Sequence, residues 1–413
     1  MARKKPEKKR TPLKNDSDEM RVALVCDWLT NVGGAEKVLL ELHRMYPEAP
    51  IFTSQYDPKG IDWFKSADVR TGSLQKYPAK LRRLLGPLRQ RWFSHLDLSE
   101  YDLVISVTGA EAKAVKVPNG VHICYCHVPT QYYWQMYKDY IKNPGFGVLN
   151  PVVRLFFRIM VRPLRRADYK AAQRPDYFVT ISDYAKEMIL KYYKRESVVI
   201  HPPVETSIFS NWDDNSRGRV ARARRYGASA LMGSAVASAM PRESSSPVAY
   251  YITTSRQVNW KRIDLAVRAC LMTQRKLLVI GEGPEHKKLV KLAEGTKLIE
   301  FLPVMKKEKL AKYLAEAKGY LFPSLEPFGI APVEAMAAGC PVIAFEEGGA
   351  VDYVEEGKNG VFFEKQTAKS LAEAILKFEK IKFKREKVSQ MAKRFDVERF
   401  DREIKNYVKK KLK

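Results

Sequence analysis

The chain has 413 residues, of which 45% are hydrophobic and 11% aromatic. This length suits two domains of about 150–200 residues each, and the composition excludes an intrinsically disordered chain. No uninterrupted apolar run approaches the roughly 18 residues of a membrane-spanning helix. The formal net charge of +26 indicates a polyanionic partner. Nucleic acid, an anionic membrane surface and phosphorylated substrates all remain open.

Residues 1–19 carry many basic side chains but no apolar stretch of the kind that a secretory signal contains. This composition is typical of a disordered basic tail. Met20 stands directly before the first apolar strand, so we expect the first domain to begin at residue 20.

Apolar, β-branched runs alternate with helical patterns over residues 20–205. The runs that we predict as buried strands are RVALVC (21–26), IFTS (51–54), LVISV (103–107), HICYC (122–126), YFVTIS (177–182) and VVIH (198–201). Helical periodicity separates several of them, as in AEKVLLELHRMY, where Val38, Leu42 and Met45 share one face. Continuous apolar strands joined by helices indicate a parallel sheet that is covered on both faces.

The same alternation starts afresh over residues 248–395. Its predicted strands are YYITTS (250–255), LLVIG (277–281), LIEFL (298–302), YLFP (320–323), PVIAF (341–345) and VFF (361–363). Two such sets predict an α/β protein of two doubly wound, Rossmann-like domains with ligands at the carboxyl ends of the strands. Residues 206–247 are rich in Ser, Ala, Arg and Gly and predict a flexible interdomain insertion. Residues 396–413 predict a basic helix that closes the structure.

Five cysteines, an odd number, lie mostly in apolar runs. This usage is typical of buried thiols in a reducing cytoplasm, and a cytoplasmic protein is therefore expected. Cys124 and Cys126 form the sequence CYCH with His127. Because no second Cys/His pair follows at zinc-site spacing, we expect no metal site.

Two features of the first domain could bind a ligand. Gly33 and Gly34 stand where the loop after the first strand becomes a helix, so a phosphate could approach backbone amides at the positive end of that helix. His127 ends another strand and is placed to reach into an interdomain cleft. A structural histidine remains equally open.

The second domain opens with TTSRQVNWKRIDLAV, in which Arg256 and Lys261 flank a turn after the first strand. A planar guanidinium and a compact ammonium suit a diphosphate. The sequence GEGPE (281–285) lacks the third glycine of a dinucleotide fingerprint, and we interpret it as a strand-to-helix turn.

The sequence LEPFGIAPVEAMAAGCPVIAF (325–345) places Glu326 in the loop beyond a strand, Gly329 in a tight turn and Glu334 about one turn into the next helix. Carboxylates accept hydrogen bonds from vicinal sugar hydroxyls. Backbone amides from Phe328 to Ala331 are free to donate to the same ligand. The pattern therefore predicts a site for a sugar joined to a nucleotide.

With these motifs in place, the sequence resembles a family 4 glycosyltransferase of the GT-B fold. The paired glutamates of EPFGIAPVEAMAAGCPVIA carry most of the resemblance, with support from GGAE, CYCHVPTQYYW, VTISDYAKEMI, IHPPVET and SRQVNWKRIDLAV. The set is similar to a bacterial, mannosyltransferase-like subgroup of surface-polysaccharide synthesis. The resemblance implies a retaining, metal-independent hexosyltransferase whose two domains face an interdomain cleft.

By resemblance, Glu334 holds the nucleotide ribose, and Glu326 with the amides of Phe328, Gly329 and Ile330 holds the donor sugar. Those assignments make Glu326 a catalytic candidate.

Also by resemblance, Arg256 and Lys261 bind the diphosphate, and Gly33 and Gly34 complete the phosphate site. His127 faces the sugar near the reaction centre and is the second catalytic candidate. The implied donor is a nucleotide-diphosphate sugar, with GDP-mannose as the specific expectation, and the implied acceptor is a glycan or a polyprenyl-diphosphate-linked glycan.

Two segments combine bulky apolar residues with arginine, AKLRRLLGPLRQRWF (79–93) and NPVVRLFFRIMVRPLRRADYK (150–170). Such segments suit the surface of an anionic membrane, so attachment to the inner face of the cytoplasmic membrane is expected. Ordinary amphipathic helices are the alternative. A nucleotide-sugar epimerase of similar fold and a basic nucleic-acid-binding protein remain the alternative functions, although no nucleic-acid reader motif is visible.

Overall fold

The computed structural model describes residues 20–78, 85–142, 147, 150–210 and 249–413. It forms two compact units. The first contains the chain up to Pro203 together with Val397–Lys413, and the second contains Val204–Asp396. The predicted tail at residues 1–19 and residues 211–247 of the predicted insertion lie outside the described residues.

The first unit is built on one sheet of seven strands. These strands are β1 (Val22–Cys26), β2 (Ile51–Thr53), β3 (Val69–Thr71), β4 (Leu103–Thr108), β5 (Val121–Cys126), β6 (Tyr177–Thr180) and β7 (Val198–Val199). Its helices are α1 (Gly34–Met45), α2 (Gly86–His95), α3 (Tyr137–Lys142), α4 (Asn150–Ala171) and α5 (Asp183–Tyr193). The strand order is β3-β2-β1-β4-β5-β6-β7, and neighbouring strands run parallel.

Local sequence explains several of these elements. Every residue of β1, β4 and β5 is buried, as expected for strands covered on both faces. Helix α1 buries Val38 and Leu42 at the spacing that the sequence predicts. Helix α5 begins after Ser182, whose hydroxyl accepts a hydrogen bond from the Ala185 amide at 3.0 Å.

The second unit is built on a sheet of six strands. These are β8 (Tyr250–Thr254), β9 (Lys276–Ile280), β10 (Ile299–Leu302), β11 (Gly319–Phe322), β12 (Val342–Phe345) and β13 (Gly360–Phe363). Its helices are α6 (Thr206–Ser210), α7 (Ile263–Thr273), α8 (His286–Leu292), α9 (Lys307–Glu316), α10 (Ile330–Ala337), α11 (Ala368–Phe378) and α12 (Arg385–Ala392). The order is β10-β9-β8-β11-β12-β13, again parallel throughout.

The start of the second unit differs from the prediction of an insertion that begins at residue 206. Residues 206–210 form α6 instead, because Phe209 is fully buried and the Thr206 hydroxyl bonds to the carboxylate of Asp396. The last helix, α13 (Val397–Leu412), packs in the first unit, where the centroids of the Phe400 and Tyr125 rings lie 6.0 Å apart.

Both sheets reverse their strand order at one place, between β1 and β4 in the first and between β8 and β11 in the second. Such a switch point leaves a crevice outside the carboxyl ends of the strands, where ligands bind in doubly wound proteins. The predicted α/β class with two doubly wound, Rossmann-like domains is thus confirmed. Among the helices that the structure describes, none is long and apolar enough to cross a membrane.

Candidate functional site

The crevice between β8 and β11 gathers the predicted residues of the second unit. Arg256 and Lys261 follow β8, and Glu326 follows β11. Since parallel strands end at the same edge of a sheet, these loops are neighbours. The Nζ atom of Lys261 lies 2.5 Å from Oε2 of Glu326, and both side chains are about one-fifth exposed (22% and 18%). A cation and a carboxylate therefore meet at the switch point.

Glu326 is held by its other atoms as well. The Ser324 hydroxyl donates to its Oε1 at 2.7 Å, and its carbonyl accepts a hydrogen bond from the Gly349 amide at 2.8 Å. Ion pairs that water can reach contribute about 0–1 kcal/mol. A ligand phosphate can therefore compete for Lys261, and ligand hydroxyls for Glu326, at small cost.

Glu334 lies on α10 and is partly exposed. The negative charges of both glutamates, Glu326 and Glu334, affect the hydroxyl of one buried tyrosine, Tyr320. Burial raises the pKa of the Tyr320 hydroxyl above its usual range, hydrogen bonds from Thr254 lower it, and the negative charges of Glu326 and Glu334 raise it further. The two carboxylates predicted to form one site thus lie within electrostatic range of the same hydroxyl.

The turn before α10 requires its glycine. Gly329 has φ +89°, and a Cβ there would lie 2.6 Å from Cζ of Phe322 and 3.1 Å from the hydroxyl of Tyr353. Helix α10 begins at the next residue, with no side chain capping it. Its first amides are therefore available to a ligand.

The side chain of Phe328 is buried, so this residue can offer a ligand only its backbone. Its side chain is buried against the rings of Tyr353 and Phe395, and its carbonyl accepts a hydrogen bond from the Tyr353 hydroxyl at 2.9 Å. Those contacts fix the loop that leads into α10. The predicted amide role of Phe328 and Ile330 is compatible with this arrangement.

The sequence analysis missed the glycine pair that supports this loop. A Cβ on Gly348, which has φ +80°, would lie 2.5 Å from the Glu326 carbonyl oxygen, and a Cβ on Gly349 would lie 2.3 Å from the Pro327 oxygen. Only glycine allows such close backbone approach. The signal was available, since EEGGA follows the buried strand β12 directly.

The Arg256 loop rests on the turn after β9. Gly281 and Gly283 have φ +128° and +159°, and Cβ atoms on them would lie 2.1 and 2.3 Å from the carbonyl oxygens of Ser255 and Gln257. The buried Gln257 amide donates to the Gly281 carbonyl at 2.6 Å. Residues 281–285 join β9 to α8, so the predicted strand-to-helix turn is confirmed.

Arg256 itself is exposed. Within the described part of the chain its guanidinium forms no ion pair, in contrast to Lys261. An exposed cation without a carboxylate partner, in a loop at the same sheet edge as the loop that leads into α10, favours an anionic ligand.

His127 follows β5 in the first unit, and its backbone amide donates to the Thr108 carbonyl at 2.9 Å. Its Nε2 atom is buried, and no described residue hydrogen-bonds to it. Burial lowers the pKa of His127 to about 4. The imidazole is therefore neutral at pH 7 and retains a vacant hydrogen-bonding atom.

Gly33 precedes α1 with φ −159°, which is extended backbone that any residue adopts, and Gly34 is the first residue of the helix. A Cβ on Gly33 would meet only the flexible carboxylate of Glu36, at 2.7 Å. Local geometry therefore does not demand glycine here, and the prediction depends on close approach of a ligand. In sheet order, β4 separates the strand before these glycines from the strand before His127.

A buried polar group at the switch point of the first unit was also missed. Asp27 follows β1 and accepts hydrogen bonds from the Thr108 hydroxyl at 2.9 Å and the Ala112 amide at 2.8 Å. Glu111, which directly precedes Ala112, pairs with Arg89 at 2.9 Å, and both side chains are at most 2% exposed. These contacts hold the loop after β4, and the partners are too distant in sequence for a local pattern to reveal them.

The five cysteines are free and buried, as predicted. Over the described residues, no group of three or more His, Cys, Asp or Glu side chains is arranged to hold a metal ion.

Comparison with known proteins gives matches to glycosyltransferases. Residues 242–395 match the family model described as Glycosyl transferases group 1. Over 209 residues the chain is 25% identical to the uncharacterized glycosyltransferase MJ1178 of Methanocaldococcus jannaschii, a stretch covering 50% of each chain. Over 121 residues it is 32% identical to the human alpha-1,3/1,6-mannosyltransferase ALG2, covering 29% of each. The chain spans about half the length, or less, of the curated relatives it matches.

The solved structure of Anabaena Alr3699/HepE in complex with UDP covers 95% of this chain and 100% of its own, with a TM-score of 0.64 and 18% identity. This likeness concerns the fold, and it agrees with the two parallel sheets described above. The chain therefore has the GT-B fold class, and residues 242–395 of its second unit are similar to the glycosyl transferases group 1 family.

Proposed function

We propose that this protein is a glycosyltransferase that moves a hexose from a nucleotide-diphosphate sugar to a glycan or lipid-linked glycan acceptor. The observation that carries the proposal is the meeting of Lys261 and Glu326 at the switch point of the second unit, beside the uncapped start of α10. A diphosphate needs cations and amide donors, and a sugar needs a hydroxyl acceptor. This crevice presents all three.

The roles follow from the chemistry of each group. Arg256 and Lys261 neutralise the diphosphate, and the first amides of α10 add hydrogen bonds to it. Glu326 accepts hydrogen bonds from the sugar hydroxyls, and Glu334 from the ribose hydroxyls. His127, as a neutral imidazole, accepts one hydrogen bond from the sugar or donates one to it.

In the reaction that we propose, an acceptor hydroxyl oxygen bonds to the anomeric carbon on the face from which the diphosphate leaves. The bond between that carbon and the diphosphate oxygen breaks, and the departing diphosphate takes the acceptor proton. The anomeric configuration is retained, and the cations stabilise the leaving group without a bound metal.

Donor identity is the finer part of the proposal. The sequence resemblance favours GDP-mannose, and the similarity to the human mannosyltransferase ALG2 agrees with mannose. The Anabaena protein was solved with UDP, which favours uracil. An acceptor linked to a polyprenyl diphosphate would place the protein on the inner face of the cytoplasmic membrane.

Thermal-shift binding of GDP, UDP, ADP and their sugar conjugates in EDTA tests the proposal. We expect one nucleotide family to raise the melting temperature of the wild type and of Glu373→Ala, an exposed control on α11. The shift should be lost in Glu334→Ala, because this variant lacks the carboxylate that binds the ribose. Nucleotides without a sugar should show the same loss, since the ribose contact does not require the sugar. No shift with any nucleotide would refute the proposal. Turnover without an acceptor would indicate an epimerase instead.

A further inference from the structure

Helix α4 has one face packed in the first unit and one face in solvent. Its buried residues, Val153, Val161, Leu164, Asp168 and Ala171, supply the packing. Four large apolar residues on the other side are exposed: Val152 (67%), Leu155 (60%), Phe156 (42%) and Ile159 (63%). Their spacing of three and four residues places them on one helical face. A cluster of four large apolar side chains that are exposed on one helical face is typical of a docking surface.

Basic residues continue the same outward face toward the end of α4. Arg158, Arg162, Arg166 and Lys170 are exposed, and no ion pair with a described residue neutralises any of them. The single acidic residue of α4, Asp168, is fully buried and pairs with Lys113 at 2.7 Å. The eight exposed residues together, four apolar and four basic, are called the α4 face below.

We infer that the α4 face lies against an anionic lipid surface. Apolar side chains enter the boundary between headgroups and acyl chains, while neighbouring arginines and lysines contact lipid phosphates. Both kinds of residue are present on one helix, and the positive charge is free to act.

Other occupants fit the α4 face less well. A symmetric contact with a second copy would place the cations of both copies in one interface, where neither α4 face offers a carboxylate to neutralise them, so like charges would repel. Residues 1–19 hold seven Lys and Arg against four Asp and Glu, and residues 211–248 hold six against three, so these segments of the chain would also be repelled. A nucleic acid would leave Leu155 and Ile159 without a role, because aliphatic side chains do not stack on bases.

The inference rests on the proposed function for its purpose, since a lipid-linked acceptor is presented at a membrane. Its evidence is separate, because it comes from the exposure and charge of α4 in the first unit and not from the nucleotide site. Membrane binding and nucleotide binding can therefore fail independently.

The test is co-sedimentation of the full chain with vesicles of phosphatidylcholine containing 30% phosphatidylglycerol, in about 0.1 M salt. Each arginine near such a surface contributes about a fivefold factor in partitioning. The double variant Arg162→Gln/Arg166→Gln should therefore bind about 25-fold more weakly. The double variant Leu155→Ser/Ile159→Ser should lose about tenfold or more in partitioning, because its apolar contact is lost. Pure phosphatidylcholine vesicles should bind the wild type weakly.

Matched controls remove the same chemistry elsewhere. Met272→Ser/Val304→Ser changes residues that are 58% and 71% exposed, and Lys309→Gln/Lys369→Gln removes two exposed cations. Both should bind vesicles nearly as well as the wild type. All variants should keep the nucleotide-induced thermal shift, which reports that the fold and the donor site are intact.

Three results would overturn the inference. The wild type could fail to bind anionic vesicles, or the α4 and control variants could lose binding equally. Alternatively, an RNA oligonucleotide could compete with the vesicles and depend on the arginines but not on Leu155 and Ile159. In each case a retained nucleotide shift would leave the proposed function standing, whereas its absence in the wild type would refute that function alone.

Discussion

Gly329 allows the geometry of the proposed donor site to be tested through a single methyl group. Its φ of +89° is a conformation that L residues rarely adopt, and a Cβ would lie 2.6 Å from Cζ of Phe322. Backbone strain of this kind lowers the unfolding free energy by about 1–3 kcal/mol. Forcing extra volume into a packed position lowers it by about 1–3 kcal/mol more. Gly329→Ala should therefore lose about 2–6 kcal/mol of unfolding free energy.

Gly357 provides the matched control. Its φ is +74°, but no atom lies within 4 Å of the position that its Cβ would take. Gly357→Ala therefore adds only the backbone strain. Urea unfolding of the full chain should give a larger loss for Gly329→Ala than for Gly357→Ala, and the difference measures the contact with Phe322.

A double variant separates that contact from other causes. Phe322→Leu shortens the ring against which the new methyl group would press, so Gly329→Ala should be less harmful in this background, with a favourable coupling of about 0.5–2 kcal/mol. Nucleotide binding should weaken in Gly329→Ala and persist in Gly357→Ala, because only Gly329 leads into α10. Equal losses of stability for both alanine variants, or additive effects with Phe322→Leu, would refute the reasoning.

Three further predictions concern charge. Glu111→Ala should cost about 3–5 kcal/mol of unfolding free energy, measured in urea, since it removes the carboxylate that pairs with the buried Arg89 guanidinium. Arg256→Ala should raise the barrier to sugar transfer by about 2–4 kcal/mol, seen as lower kcat/KM, without moving the urea midpoint. Hydrogen bonds from Arg275, opposed by burial and reinforced by Lys318, lower the pKa of Glu379 to about 2. Because this folded pKa is depressed, Glu379 stabilises the fold above about pH 4.5 and loses that effect as pH falls toward 2. Urea midpoints of the wild type and Glu379→Gln should therefore converge over that range.

Each charge prediction has a control and a result that would contradict it. Asp68→Ala breaks an exposed pair with Arg70 and should change stability by less than about 0.5 kcal/mol. A Glu111→Ala variant no less stable than this one would show that the buried pair is dispensable. Arg402→Ala removes an exposed arginine from α13 and should leave turnover unchanged. Normal turnover in Arg256→Ala would exclude that residue from the site. A gap between wild type and Glu379→Gln that stays constant from pH 7 to 3 would contradict the assigned pKa shift.

The fold was largely predictable because its strands are local apolar runs. Every predicted strand coincides with one of β1, β2 and β4 to β13. Only β3 was missed. Its residues, Val69, Arg70 and Thr71, are partly or fully exposed at the edge of the sheet, so no apolar run marks them. The strand is set by pairing with β2, a contact that the local sequence does not encode.

The meeting of the candidate-site loops of the second unit was predictable for a related reason. Each of its loops directly follows a strand, and a parallel sheet brings the ends of its strands to one edge. Knowing that Arg256, Lys261 and Glu326 follow strands is therefore enough to expect them to meet. The sequence could not reveal that Lys261 and Glu326 pair directly, because this depends on which two strands are neighbours. Strand order is decided by packing over the whole sheet.

The first unit shows where such reasoning stops. In the loop after β4, Glu111 and Lys113 look like ordinary surface residues, yet both are buried. Their partners, Arg89 and Asp168, come from α2 and α4. A buried charge is stable only when its partner lies beside it. Because these partners come from distant parts of the chain, neither residue carries a local sequence signature. Because the single acidic residue of α4, Asp168, is buried against Lys113, the charged residues that this helix exposes are all cations. The contact that anchors the helix therefore leaves the α4 face positively charged and free to bind an anionic surface.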